Sequence, residues 1–310
     1  MTYLPYGKAA SGPWVVEITP SVAGWTYAGL RVVDLAEGVP VSFDTGEEEM
    51  LILPLAGSCT VRCSAAPLGS PDRPASPDRP ASPDRATSPA QGDEEAAWEL
   101  RGRKSVFDGP SDFAYVPINT HVTLDGRGRI ALPSARATRR LEPRYTPVSA
   151  VPVEIRGAGQ ASRQVNNFCA PGVFHCDKLM AVEVLTPGGN WSSYPPHKHD
   201  TPGEREAVLE EIYYFEVAGD GLGYQRVYSS ERGRIDTLAE VASGDVVLVP
   251  YGYHGPSMAA PGYDLYYLNV LAGPAEQRSM AFCDDPRHAW IRSSWEGQET
   301  DPRLPFGRTR

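Results

Sequence analysis

Cysteine is scarce in this 310-residue chain: Cys59, Cys63, Cys169, Cys176 and Cys283 are odd in number and widely spread. No disulfide framework follows from such a set, and a reducing, cytoplasmic setting is the expectation. The spacing Cys59-x-x-x-Cys63 matches a metal clip, but no second Cys/His pair of suitable spacing accompanies it. Both are therefore read as small hydrophobic residues buried on a strand. Long apolar runs are missing as well. Nothing approaches the roughly 18 consecutive apolar residues of a membrane span, and the opening MTYLPYGKAASGPW lacks the charged-then-apolar layout of a secretory leader. Positive charge is in deficit, with a formal net charge of -10. That disfavours nucleic acid as a partner, because neutralising phosphates takes a clustered basic face. Helix-favouring composition is also absent: Gly and Pro stand at 30 each, which points to many short strands joined by turns.

What is present organises into two halves. At roughly 100–200 residues per domain the length predicts two domains, placed at 1–150 and 151–310. The stretch 65–97 reads as a disordered surface loop inserted between two strands. It carries SPDRPA, SPDRPA and SPDRAT in tandem, with almost nothing apolar to bury. Around it, 49–57 and 58–62 read as paired strands, 98–100 resumes the sheet, and 113–117 and 121–124 continue it. In the second half 180–185, 211–217, 223–228, 245–249 and 265–270 are strand-like, each bounded by Gly, Pro, Asn or Asp. Only 202–209 and 287–295 have room for a helical turn. The fold class is all-β, a tandem of two β-barrel or jelly-roll domains with few short helices. An acidic cluster before an apolar strand recurs at 47–57 and 210–219, and Pro117/His121 is echoed by Pro250/His254, which suggests an internal duplication.

The chemistry concentrates in the second half. GNWSSYPPHKHD (189–200) holds His197 and His199, LEEIYYF (209–215) holds Glu210 and Glu211, and GDVVLVPYGYHG (244–255) holds His254. Residues two apart on an extended strand share a face, so His197 and His199 project together. Joined by a carboxylate from the next strand and an imidazole from a later one, they make a set of three nitrogens and one oxygen. Such a set suits a divalent first-row metal and leaves positions for a substrate. Adjacent residues face opposite ways on a strand, so only one of Glu210 and Glu211 is the ligand. The first half has no such set, and its single His121 is read as a core or turn histidine on metal-free scaffold.

The order HxH, Glu, then G-x5-P-x-G-x-His resembles the two motifs of the cupin superfamily. The phrases PPHKHD, LEEIYYFEV, YQRVYS and VPYGYHGP, with YDLYYLNVLAGP and DDPRHAWIR near the end, resemble 5-deoxy-glucuronate isomerases of inositol breakdown. Those are similar in turn to the 4-deoxy-5-ketouronate isomerases of pectin breakdown. The resemblance covers nearly the whole chain except the proline-rich insert, and the second half carries its specific motifs. It implies a bicupin with metal ligands at His197, His199, one of Glu210 and Glu211, and His254. General cupin spacing favours Glu211. An ungapped comparison with the ketouronate isomerases favours Glu210 and keeps 223–228 in step, so Glu210 is the expectation taken.

The implied reaction interconverts 5-deoxy-glucuronate, an aldehyde with a C2 hydroxyl, and its ketose partner 5-dehydro-2-deoxy-gluconate. A hydrogen moves between C2 and C1 without net oxidation, so a redox-inert metal suffices. Zinc is expected ahead of iron, manganese, nickel or cobalt. A general base is needed as well, and Glu183, Tyr253 and Asp264 are the candidates. Arg163 or Arg226 is expected to hold the substrate carboxylate through two parallel bonds. Lys198 is expected to point outward, and Tyr214, on the Glu210 register, falls on the pocket side. Two other readings stay open: an Fe(II) cupin dioxygenase using the same ligands, and a non-catalytic sugar-acid-binding barrel. The partner implied is a small deoxy-uronate, with homo-oligomerisation left open.

Overall fold

The computed structural model describes residues 2–65 and 96–307, so the insert read as disordered at 65–97 lies, apart from its ends, outside the described residues. No described helix is long and apolar enough to cross a membrane. Among the described residues the protein is mostly strand, with one short α-helix, Pro20–Ala23, and a few 3-10 segments.

Strand pairing divides most of the chain in two. The described strands between residues 14 and 146 pair among themselves in an eight-stranded sheet, in which Glu48–Ala65 and Thr120–Arg136 run side by side over most of their length. Residues 153–284 build a seven-stranded and a six-stranded sheet. The exception is Tyr3–Leu4, which leaves the first half and pairs with Val246–Val249 at the edge of the seven-stranded sheet. The strands pair as sheets, and none closes into a barrel among the described residues. Phe113–Val116 flanks Glu48–Ala65 as Val246–Val249 flanks Glu210–Val217, in keeping with the duplicated order of the sequence.

The seven-stranded sheet positions the site because both of its faces are covered. Leu265–Ala272 at its centre is buried at every position, which is why LYYLNVLA runs apolar without alternation. On one face Ile212, Tyr214 and Leu268 share a core with Leu51, Leu53 and Tyr115 of the first half. On the other, Val184, Tyr213 and Phe215 meet Val227, Val241 and Ala259 of the strands opposite. Period-two alternation thus sends Tyr214 towards the first half and Tyr213 into the interior of the second.

Two local expectations are corrected. Residues 49–57 and 58–62 form one bent strand, Glu48–Ala65, instead of a pair. A register shift between Pro54 and Ala56 turns it, and Gly57, at φ +86, lets it pass another strand closely: a Cβ there would lie 2.0 Å from the Arg127 carbonyl oxygen. The stretch 202–209 holds no helical turn; Gly203 and Glu206 form a β-bridge instead. The turn expected at 287–295 is present as the 3-10 segment Ala289–Trp295.

Candidate metal centre

His197–Lys198 is a two-residue strand between Tyr253–Ala259 and Cys283–Asp284, with His197 registered against His254. The ring centroids of His197 and His254 lie 4.5 Å apart, and those of His199 and His254 4.7 Å. The carboxylate comes from Glu210–Val217 in the facing sheet: Glu211 Oε2 stands 3.0 Å from His199 Nε2 and 3.0 Å from His254 Nε2. Asn269 Nδ2 donates to Glu211 Oε1 at 2.7 Å and fixes the plane of the carboxylate. Each imidazole is turned by a backbone carbonyl at its other nitrogen. His197 Nδ1 faces Pro195 O at 3.2 Å, His199 Nδ1 faces Leu209 O at 3.2 Å, and His254 Nδ1 faces Gly252 O at 3.3 Å. A carbonyl only accepts, so the network assigns the proton to each Nδ1 and leaves a lone pair on Nε2.

This arrangement fits a cation. Two imidazole lone pairs converge on a carboxylate oxygen, itself an acceptor. His254 Nε2 is buried with no hydrogen-bond partner, even though Glu211 Oε2 lies 3.0 Å away. Buried acceptors facing one another cost free energy unless positive charge sits between them. His199, Glu211 and His254 offer ligand atoms within 4.8 Å of one another; His197 lies outside that tightest group but lines the same space. Burial opposes charge on Glu211, yet the His254 and His199 imidazoles outweigh it and hold its carboxyl well below the usual range. Burial, with His254 alongside, depresses the pKa of His197. At His199 burial is outweighed by the bond to Glu211, and the pKa rises. A proton on His199 and a metal ion are two ways of placing positive charge on one spot.

The centre opens into a cavity of about 390 Å³. Val165, Val182, Val184 and Leu271 give it apolar walls, and Ser193, Tyr213 and Tyr267 add hydroxyls. Three guanidinium groups reach it. Arg156 is paired with Glu154 at 2.8 Å, and Arg292 is paired doubly with Asp284 at 2.5 and 2.7 Å. Arg163 has no carboxylate partner among the described residues and donates to Ala161 O at 3.1 Å. Burial pushes its pKa down to about 10, so it keeps its charge at neutral pH.

Of the residues expected from sequence, His197, His199 and Arg163 line this cavity, and His254 is buried behind it against His197 and Glu211. Others stand elsewhere. Glu210, the expected ligand, turns to the first half, where its carboxylate accepts the backbone N–H groups of Thr26, Tyr27 and Ala28 at 2.8, 2.7 and 2.9 Å. Glu211 takes the cavity side. Tyr214 follows Glu210 and donates to Glu216 at 2.6 Å. Glu183 is buried on the opposite face of its strand from Val182 and Val184, ion-paired with Arg103 and bonded by Tyr266 and Asn166. Asp264 accepts from Gly188 N at 2.8 Å, Tyr253 stacks on Tyr228, and Arg226 binds Asp236; none of the three lines the cavity. Lys198 does point away from the imidazoles, but into a buried cage with Asp200 and Glu206 instead of into solvent. His121 is half-exposed and paired with Asp44 at 2.7 Å. Polar cavity-lining groups missed from sequence include Tyr213, Tyr267, Asn269, Ser193 and Arg292. Alternation starting from Glu211 points to Tyr213, whereas Arg292, far along the chain, gives no local signal.

Comparison with known proteins agrees with this architecture. The KduI/IolB family profile matches residues 3–74 and 87–291. A 5-deoxy-glucuronate isomerase of Geobacillus kaustophilus is 38% identical over 286 residues, covering 90% of this chain and 91% of the relative. Its counterpart in Bacillus subtilis is 34% identical over 283 residues, covering 89% and 92%. An IolB-like protein of Salmonella typhimurium superposes with a TM-score of 0.77 at 32% identity, covering 94% of this chain and 99% of that one. Oxalate decarboxylase of Lactobacillus farciminis, a bicupin, superposes at 0.56 and 11% identity over 90% of this chain and 88% of its own, which shows the fold alone. The tandem cupin reading of the sequence therefore holds at the level of the fold.

Proposed function

The chain belongs to the KduI/IolB family, and from that premise we propose that it is an aldose–ketose isomerase converting 5-deoxy-D-glucuronate to 5-dehydro-2-deoxy-D-gluconate in the cytoplasmic breakdown of myo-inositol. The observation that carries the reading is that Arg163, His197, His199 and Glu211 line one cavity, with His254 buried against Glu211 in the same His/Glu cluster. A deoxy-uronate has a carboxylate at one end and, at the other, a carbonyl beside a hydroxyl. Arg163 binds the first through paired N–H donors, and the cluster receives the second.

His197, His199, Glu211 and His254 would hold a divalent ion, zinc in preference to iron, manganese, nickel or cobalt because no redox change is required. Such an ion, when bound, supplies a Lewis acid that polarises a carbonyl and stabilises negative charge on a neighbouring oxygen. The remaining work falls to the chain. Asn269 keeps Glu211 turned towards the imidazoles. Val165, Val182 and Val184 limit water around the reacting carbons. Tyr213 and Tyr267 present hydroxyls to the substrate oxygens.

Incubating the purified protein with 5-deoxy-D-glucuronate under strict anaerobiosis tests the reading. The expected result is loss of the C1 aldehyde with matching gain of a ketone, without oxygen. No turnover, or turnover that consumes oxygen, overturns it.

A further inference from the structure

Three hydroxyl groups on the cavity wall form an unbroken chain. Ser193 Oγ lies 3.1 Å from the Tyr213 hydroxyl and 3.0 Å from the Tyr267 hydroxyl, with the serine in the middle. All three residues line the cavity shared by Glu211 and Arg163. The phenol rings are 5.0 Å apart between centroids. Tyr213, two residues beyond Glu211, lies on the same face of the strand. The backbone at Ser193 is held for this placement. Its φ of 45° is in the left-handed region, where Asn119 is the only other non-glycine residue among those described. Behind it the chain is tightly packed: a Cβ on Gly255, next to His254, would come within 1.9 Å of the Ser193 carbonyl oxygen. Buried phenols are commonly satisfied by backbone carbonyls, without any such strain. Here a strained serine links them to each other.

Aldose–ketose isomerisation has a use for such a chain. In the aldehyde the mobile hydroxyl proton is on O2; in the ketose it is on O1. Besides the hydrogen that passes from C2 to C1, one proton has to travel between oxygens. Building on the isomerase reading above, we propose that Tyr213, Ser193 and Tyr267 are the relay that carries it. The O2–H bond breaks as one phenol oxygen takes that proton. This phenol passes its own proton to Ser193 Oγ, the serine passes its own to the second phenol, and the second phenol protonates O1. As many O–H bonds form as break, and each hydroxyl ends neutral. No oxidant, reductant or ionised tyrosine takes part. Each hydroxyl both donates and accepts, so the relay runs in either direction.

Single-turnover kinetics of Tyr213→Phe, Tyr267→Phe and Ser193→Gly enzymes, with KM and metal content measured on each, decide the matter. Glycine at 193 removes the hydroxyl while relieving the backbone strain, so the variant does not lose its fold on that account. Each variant is expected to isomerise at least about 100-fold more slowly, with KM and metal content within about threefold of wild type. The double Tyr213→Phe, Tyr267→Phe enzyme is expected to be no slower than either single one, because one missing link already breaks the chain. In mixed H2O and D2O the wild-type rate is expected to fall along a bowed curve, since several protons move together, and the variants along a straight line. Variants at wild-type rate, multiplying losses in the double variant, or a straight line for the wild type would each overturn the relay while leaving the isomerase reading intact. A wild-type protein that does not isomerise the substrate at all overturns both.

Discussion

Glu210 and Glu211 are neighbours on one strand whose carboxylates serve opposite faces of the same sheet. Glu210 ties down three consecutive backbone N–H groups of the first half, at Thr26, Tyr27 and Ala28, while Glu211 faces His199 and His254 in the second. Glu49 does the reverse from the first half: it accepts the N–H groups of Asp177, Lys178 and Leu179, and the Tyr115 hydroxyl. Each half thus caps the chain where it enters a strand of the other, Ala28–Leu35 or Met180–Thr186.

That division of labour predicts opposite outcomes for two conservative substitutions. Glu210→Gln places an NH2 donor against backbone donors and is expected to cost about 1–3 kcal/mol in urea unfolding, with metal content unchanged. Glu211→Gln is expected to lose metal and turnover, and with the metal the stability that a bound ion confers. Metal retained in Glu211→Gln and lost in Glu210→Gln would invert the register described here.

From sequence the two carboxylates are hard to separate. The strand that follows them, IYYF, is buried on both faces, so there is no polar alternation to set the phase. A slip of one residue carries Tyr214 into the pocket on paper and takes Tyr213 out. The histidines are legible because HxH on an extended segment fixes its own facing, and proline–glycine spacing marks the turn before His254. Glu183 misleads for a different reason. An acid within MAVEVLT looks unpartnered and therefore reactive, but its partner, Arg103, lies 80 residues away in the chain. The strands themselves are readable from their turn residues, whereas the bend that fuses 49–57 with 58–62 depends on a backbone crossing invisible in one dimension.

Arg163 is expected to dominate recognition of the substrate carboxylate. Arg163→Gln should lower kcat/KM roughly 10–100-fold, as for loss of a charge-assisted bond of about 1.5–3 kcal/mol. Arg292→Gln should cost less, since Asp284 already neutralises that guanidinium. Steady-state kinetics on both variants make the comparison. Equal losses at the two positions would remove Arg163 from its assigned role.

Removing metal is expected to destabilise the protein as well as silence it, because the Nε2 atoms and Glu211 then face each other without a cation. A ligand present at about 1,000 times its Kd contributes about 4 kcal/mol to the folded state. Dialysis against a chelator should therefore lower the unfolding midpoint, and zinc added back should restore it. In His199→Ala and His254→Ala proteins neither step should move the midpoint. A chelator shift in those variants as large as in wild type would place the ion at another site.

The pair Arg103–Glu183 joins the halves where no solvent reaches. Glu183 Oε2 receives Arg103 Nη1 at 3.0 Å and Asn166 Nδ2 at 3.0 Å, while the guanidinium also donates to the carbonyls of Pro54 at 3.1 Å and Gly109 at 2.6 Å. Glu183→Ala leaves that guanidinium buried without its counter-charge and is expected to cost about 3–5 kcal/mol. Replacing both residues with apolar ones should cost less than the two single changes together, which a double-mutant cycle in urea measures directly. Turnover of the surviving folded protein should stay close to wild type, because Val182 and Val184 on the other face of the strand keep their place in the cavity wall. Glu183→Gln separates the roles, since it preserves shape and removes charge. If that protein stays folded but turns over about 100-fold more slowly, the carboxylate takes part in the chemistry and is more than a fastening between the halves.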